Sequence, residues 1–238
     1  MFLKKRDFYH QNIRYSFHYH QNRMANLTNG GTKYKRLELY FKDVYEAKIP
    51  NQIFNKKEIP RISRFKLEGI KKSYLRSYSK KLINSGKIKA LDATNALSKY
   101  ADEVYKNYEK NGINKTPGHD PILKNILIKD KKSICIELPI WRKINGKYVT
   151  GHIDLIQITN GSIRIIDYKP EGNFLYSLPQ VASYALIFNS RFKYNNIKCI
   201  SFNRNESWIY TPNILLNELR DMLKYHNTID FSFWEKWF

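Results

Sequence analysis

Thr150-Gly151-His152-Ile153-Asp154-Leu155-Ile156-Gln157-Ile158, then Thr159-Asn160-Gly161-Ser162, then Ile163-Arg164-Ile165-Ile166-Asp167-Tyr168-Lys169 is the stretch around which this chain of 238 residues is organised. Both arms are rich in β-branched and aliphatic residues, and Asn-Gly between such arms is the strongest short-range hairpin signal, because both turn positions need positive φ. Side chains alternate faces along a strand, so Asp167 and Lys169 leave the second arm on the same face. Asp154, near the middle of the first arm, reaches that face if the register allows. Two carboxylates and an ammonium on one hairpin repel or demand a cation, an arrangement costly in a core and useful in a metal site. A salt-bridged strand pair at a sheet edge is the plainer alternative that the hairpin alone leaves open.

Working outward, Ser133 to Trp141 reads as a strand, and Asn145-Gly146 turns it into the arm carrying Asp154, which gives a three-strand antiparallel meander. On that first strand Glu137 shares a face with Cys135 and Trp141, while Ile134, Ile136, Leu138 and Ile140 fill the other. An acid among apolar strand residues needs a partner. After Lys169 comes the loop Pro170-Glu171-Gly172-Asn173 and then a helix from about Leu178 to Asn189, with Pro179 near its start. Gln180 and Tyr184, four apart, face the same way on it. Lys198 to Asn203 and Trp208 to Thr211 read as two further strands, Thr211-Pro212 opens a last helix to about Tyr225, and the aromatic tail 231–238 docks on the rest.

Upstream, Thr116 to Pro121 is a loop that leaves His119 just before a short helix capped by Asp120, with Pro121 at its first position. Leu91 to Tyr108 is an amphipathic helix ended by Asn111-Gly112. Lys66 to Asn84 is another, with Leu67, Ile70, Tyr74, Tyr78 and Leu82 as its apolar stripe, Ser63 as cap and Gly86 as stop. Off that stripe lie Lys71, Lys72, Arg76, Lys80 and Lys81, either a solvated face or a set of phosphate contacts. Residues 1–60 have no clear period. Leu37, Leu39 and Phe41 favour a strand within Leu37 to Ala47. His18-x-His20 with His10 nearby reads as surface or groove aromatics rather than a metal set, since no cysteine or acidic cluster joins them.

Formal net charge is +21, unusual for an enzyme of small molecules and ordinary for a partner of polyanions. Residues 1–118 hold 26 Lys and Arg against 10 Asp and Glu, and residues 119–238 hold 16 against 11. The basic excess thus lies away from the candidate acids. Cys135 and Cys199 sit in apolar runs and read as buried reduced thiols. The first residues lack the apolar run of a secretory signal, and no stretch approaches the ~18 apolar residues that span a bilayer. The expected setting is cytoplasmic or another intracellular compartment holding nucleic acid.

The ordered set Gly151-x-x-Asp154, Asp167-x-Lys169 and Gln180-x-x-x-Tyr184 resembles the signature of the RecB-like nucleases of the PD-(D/E)XK superfamily. The resemblance covers roughly Gly118 to Tyr210. It implies a restriction-endonuclease-like α/β core, with a mixed, mainly antiparallel sheet flanked by helices. It also implies Mg²⁺ or Mn²⁺ held by Asp154, Asp167 and the main-chain carbonyl of Tyr168, with His119 as the upstream histidine many such nucleases carry. Lys169 would orient the attacking water, Gln180 and Tyr184 would position the strand, and Glu137 matches an acid often found on the preceding strand. Several relatives hold an iron–sulfur cluster on cysteines near the C-terminus, and with none beyond Cys199 no such cluster is expected. Residues 1–115 are expected to form a basic, largely helical region, and 116–238 the nuclease core. The function expected is metal-dependent DNA cleavage on single strands or ends, where aromatics can stack on bases. A non-cleaving nucleic-acid-binding protein and an RNA nuclease are the alternatives.

Overall fold

Turn chemistry sets the centre of the sheet. Asn145, Gly146, Asn160 and Gly161 have φ between +46° and +77°, the backbone that two-residue hairpin loops require. They join β4 (Ser133–Ile144), β5 (Lys147–Thr159) and β6 (Ser162–Tyr168) into the expected meander. The computed structural model describes residues 3–226 and 232–238. After β6 the chain crosses through α7 (Phe174–Phe192) to β7 (Ile197–Phe202), which lies parallel to β6, as a parallel neighbour demands a long connection. β8 (Glu206–Tyr210) returns antiparallel. A hairpin of β1 (Leu3–His10) and β2 (Ile13–His20) extends the sheet beyond β4, and β3 (Ile88–Asp92) closes the other edge beside β8. The order in this eight-stranded sheet is β1-β2-β4-β5-β6-β7-β8-β3, antiparallel everywhere except β6–β7.

The residues before 116 differ most from expectation. They supply α1 (Gln21–Thr28), α2 (Lys35–Tyr45), α3 (Asn51–Asn55), α4 (Lys72–Asn84) and α5 (Ala96–Lys110), but also three strands. A boundary at 115/116 therefore runs through the sheet rather than beside it. Leu37 to Ala47 is helical, not a strand: Leu37, Phe41 and Val44 recur at four- and three-residue steps and are buried, while Leu39 is 51% exposed. The helix expected from Lys66 begins only at Lys72. Gly69 has φ +76°, and the Leu67 N–H is drawn to the Tyr176 carbonyl, so Ser63 caps nothing and Ile62–Arg64 is a 3₁₀ turn. Gly86 does stop that helix, with φ +72°. Leu91 belongs to β3, and α5 starts behind Asn95, whose side chain accepts the Ser98 N–H.

α6 (His119–Lys129) starts one residue ahead of the expected cap, with Gly118 at the N-cap and His119 in its first turn. α7 starts at Phe174 rather than Leu178 and carries Pro179 within it. After the 3₁₀ turn Pro212–Leu215, α8 (Glu218–His226) replaces the longer last helix. Of the tail, Phe231 lies outside the described residues. Beyond it α9 (Ser232–Glu235) docks, with Trp234 6.0 Å from the Phe65 ring and Trp237 buried.

Alternation along the central strands gives the sheet two apolar faces. Ile165 and Cys199 join the cluster containing Leu37, Phe41, Ile53 and the buried side of α7, whereas Ile166 and Ile200 join Leu97, Val104, Ile122 and Ile126 of α5 and α6. Arg23 ties α1 to the opposite side of the sheet, donating to the carbonyls of Leu127, Ile128 and Asp130 at the end of α6 and of Ser133 at the start of β4. Those of Leu127, Ile128 and Asp130 are carbonyls that a helix C-terminus leaves without partners. Cys135 and Cys199 are buried free thiols. No helix among the described residues is long and apolar enough to cross a membrane.

Candidate active site

The sheet opens where the acids stand. Pairing of β5 with β6 runs from Thr159↔Ser162 to Leu155↔Ile166, and one more step would set Asp154 opposite Asp167. Likewise β4 and β5 pair at Ile136↔Leu155 and Leu138↔Ile153, but not at the intervening Glu137 and Asp154. Three acids on three adjacent strands thus share one row, and the ladder breaks there. Like charges placed directly opposite destabilise a sheet. β6 keeps its pairing with β7 through Asp167↔Ser201 and Tyr168↔Phe202. The Tyr168 N–H is satisfied instead by the Asp154 carboxylate, at 3.0 Å.

Glu137 departs from regular strand geometry, with φ +52°, a region sparsely used by residues other than glycine and strained by roughly 1–3 kcal/mol. The expected face pattern of β4 is overturned. Ile134, Leu138 and Ile140 pack in the first cluster but Ile136 packs in the second, because alternation is interrupted twice, by the register shift between Ser133 and Cys135 and again at Glu137.

Lys169, just past the end of β6, completes the centre. Its Nζ lies 2.6 Å from Asp167 Oδ2 and donates to Gln180 Oε1 at 3.1 Å. Gln180 Nε2 in turn donates to Asp167 Oδ1 at 3.2 Å and lies 3.5 Å from the Tyr184 hydroxyl. The four-residue step along α7 brings Gln180 and Tyr184 together as expected. His119 Nε2 approaches Asp154 Oδ2 at 3.7 Å, and its ring meets the Tyr168 ring edge-on at 5.2 Å. Among the described residues no three His, Cys, Asp or Glu side chains are drawn into a ready ligand cage. Lys71, Lys72, Arg76, Lys80 and Lys81 lie on the exposed side of α4 or at its cap, outside this centre.

Burial and the Asp167 charge push the Asp154 pKa up to about 6. Burial, then the charges of Asp154 and Asp167, push Glu137 well above the carboxylate range, with Arg61 opposing. For Lys169, burial favours the neutral amine, but the Asp167 and Asp154 charges and the Asp167 hydrogen bond outweigh it, so its pKa rises and it is an ammonium at neutral pH. Burial and the same carboxylates hold Tyr184 as a neutral phenol. The sequence matches no known protein family and no characterised protein.

Gly151 has a packing reason to be glycine. A Cβ there would collide with the Tyr184 ring and lie 3.2 Å from Ile62 Cδ1. Gly151→Ala is expected to cost about 1–3 kcal/mol through overpacking, read as a lower urea midpoint. An unchanged midpoint would mean that Tyr184 is not wedged in place.

Beside the acids lies a group that local pattern gave no reason to select. His10 and His18, expected as surface or groove aromatics, are buried. His10 Nδ1 lies 2.7 Å from Nε2 of His152, the ring of His152 stacks on Tyr15, and Arg61 reaches both Tyr15 and His152. The available signal was His152 itself, two residues before Asp154 and next to Ile153 on a strand that is otherwise buried from Val149 to Ile158.

Proposed function

We propose that this chain is a divalent-metal-dependent nuclease hydrolysing DNA phosphodiester bonds, RecB-like, with a restriction-endonuclease-like core, acting on single strands or ends. The observation that carries this is the meeting of Asp154 from β5, Asp167 and Lys169 from the end of β6, and Gln180 from α7, where the sheet parts. The acid row fits a cation: it is buried and self-repelling, and hard divalent ions take one or two carboxylates while keeping several waters. Asp154 and Asp167 would hold Mg²⁺ or Mn²⁺, with the Tyr168 carbonyl and His119 as further donors. When bound, such an ion neutralises phosphate oxygens and lowers the pKa of water.

The chain's own groups do the rest. Lys169 presents a fixed positive charge where a phosphorane-like transition state gathers negative charge. Gln180 holds that ammonium and Asp167 in one geometry. Glu137, biased toward its protonated form, can donate a hydrogen bond to the row rather than add a third charge. Tyr184 offers a neutral donor beside Gln180. The test is release of labelled product from single- and double-stranded DNA with Mn²⁺ and with chelator, RNA serving as competitor. Metal-independent release, or none from any substrate, would defeat the proposal, and preferential RNA cleavage would move it to the RNA alternative.

A route for the strand is suggested by α4. Lys72, Arg76 and Ser79 line a groove of about 320 Å³ with Asn173, Tyr176 and Trp208, and Asn173 ends the loop that follows Lys169. Lys71, Lys72, Arg76, Lys80 and Lys81 are exposed, and none joins an ion pair among the described residues. Replacing Lys72, Arg76 and Lys80 by glutamine is expected to weaken single-stranded DNA binding and flatten the log K against log salt slope by about 0.7 per lost phosphate contact. Fluorescence anisotropy at several salt concentrations checks this. An unchanged slope makes the face a solvated surface.

A further inference from the structure

Arg61 is only 8% exposed, yet none of the ion pairs among the described residues includes it. It is pinned beside β5 by its bridge to Thr150 and by the Thr150 N–H bond to the Pro60 carbonyl. Its Nη2 donates to the Tyr15 hydroxyl at 2.5 Å and lies 3.4 Å from His152 Nδ1. Burying a charge is costly unless a counter-charge or strong hydrogen bonds answer it.

The hydrogen bonds behind Arg61 run in one direction. Arginine only donates, so His152 Nδ1 accepts and the ring carries its proton on Nε2. That proton is donated to His10 Nδ1, 2.7 Å away, and His10 Nε2–H then faces Asn51 Oδ1 at 3.4 Å. Both rings are therefore neutral, in keeping with the burial that lowers the His10 pKa to about 4 and that of His152 well below the ordinary value. Neither can balance the guanidinium. Tyr15 is stacked on His152 at 3.7 Å between ring centroids. Because it accepts from Arg61, its own hydroxyl proton remains to be given to something else. The Arg61 charge opposes the rise of the Glu137 and Tyr184 pKa values, so its field reaches the acid row.

Resting on the nuclease reading of that row, we propose that Arg61 and Tyr15 form an anion subsite that takes a phosphate of the nucleic-acid strand alongside the scissile linkage. A planar fork of N–H donors matches two phosphate oxygens, and the Tyr15 hydroxyl adds a neutral donor. The chain through His152 and His10 to Asn51 is the brace that keeps the fork in place. The phosphate is an internal one of the backbone or a terminal one at a strand end.

The test uses the full chain in EDTA, so that binding is read without cleavage. Fluorescence anisotropy compares wild type, Arg61→Gln, Arg61→Lys and Tyr15→Phe on oligonucleotides with and without a terminal phosphate. Arg61→Gln is expected to weaken binding about tenfold or more and to reduce the salt slope by about 0.7. Arg61→Lys keeps the slope and loses affinity severalfold, and Tyr15→Phe weakens binding without altering the slope. A loss confined to phosphorylated ends assigns a terminal phosphate; an equal loss on all oligonucleotides assigns an internal one. If Arg61→Gln keeps its urea midpoint and binds like wild type, Arg61 is only a packing residue and the subsite is overturned. Should that variant fail to fold, wild-type binding by both Arg61→Lys and Tyr15→Phe overturns it equally. The nuclease reading fails separately, if Lys169→Ala and wild type release product alike in Mn²⁺, and that outcome leaves the EDTA measurements standing.

Discussion

Lys169→Ala leaves a folded protein whose DNA cleavage rate in Mn²⁺ falls at least about 10²–10³-fold, the loss typical of removing one preorganised electrostatic contact to the transition state. The reasons lie in the charge state and grip of this side chain. Its ammonium is held by Asp167 at 2.6 Å and by Gln180 at 3.1 Å, and the neighbouring carboxylates keep it protonated despite burial. It therefore acts as a positioned charge at neutral pH, not as a general base. Lys169→Arg restores little, because a planar fork cannot occupy the place of a compact ammonium between Asp167 and Gln180. Asp167→Asn falls at least as far, since it removes a carboxylate and loosens Lys169 together. Initial rates on end-labelled DNA, beside thermal melts of each variant, measure this. Cleavage within a few-fold of wild type for Lys169→Ala, in a preparation free of contaminating nuclease, would remove Lys169 from the chemistry.

The parts of this centre that were legible in the sequence are those set by short-range rules. Asn160-Gly161 announced the hairpin, period two put Asp167 and Lys169 on one face, and a four-residue step put Gln180 beside Tyr184. What stayed hidden depends on long separations or on a local break in regularity. His10 meets His152 across 142 residues and Arg61 meets it across 91, and no periodic pattern links such partners. Glu137 sits at positive φ and the register shifts between Ser133 and Cys135, so face assignment by alternation failed at the two places where the strand is irregular. In α2, Leu37, Leu39 and Phe41 satisfied a strand template over five residues, and only the longer run to Val44 reveals the helical period. The hairpin of β1 and β2 was obscured because β2 buries Ser16, Phe17, His18 and Tyr19 in succession, which erases the alternation that marks a half-exposed strand.

In chelator at pH 7, Asp154→Asn is more stable than wild type by on the order of 3 kcal/mol, and saturating Mn²⁺ reverses the ranking. Asp154 is ionised above about 6 in the folded state but above its model-compound value of 3.8 when exposed. A carboxyl whose pKa is raised by folding binds its proton more tightly in the native state. Its contribution is therefore greatest below pH 4 and declines as pH rises through 6. Asparagine keeps an oxygen for the Tyr168 N–H and carries no charge, so the advantage of the variant is absent near pH 4 and complete by pH 7. The histidines work the other way. His10 and His18 fall to about 4 by burial, so folding disfavours their protonated forms, and stability from them is present above pH 6.5 and lost as pH drops toward 4. Total stability of the wild type thus does not isolate the acid row, whereas the difference between wild type and Asp154→Asn cancels the histidines. Ligand binding at 1,000 times Kd adds about 4.1 kcal/mol to whichever protein has the site, more than the advantage of the variant, so saturating Mn²⁺ raises the wild-type urea midpoint at pH 7 above that of the variant, which stays nearly unmoved. A wild-type midpoint indifferent to Mn²⁺, together with a variant no more stable than wild type in chelator, would mean that the row of acids carries no stored repulsion and holds no cation.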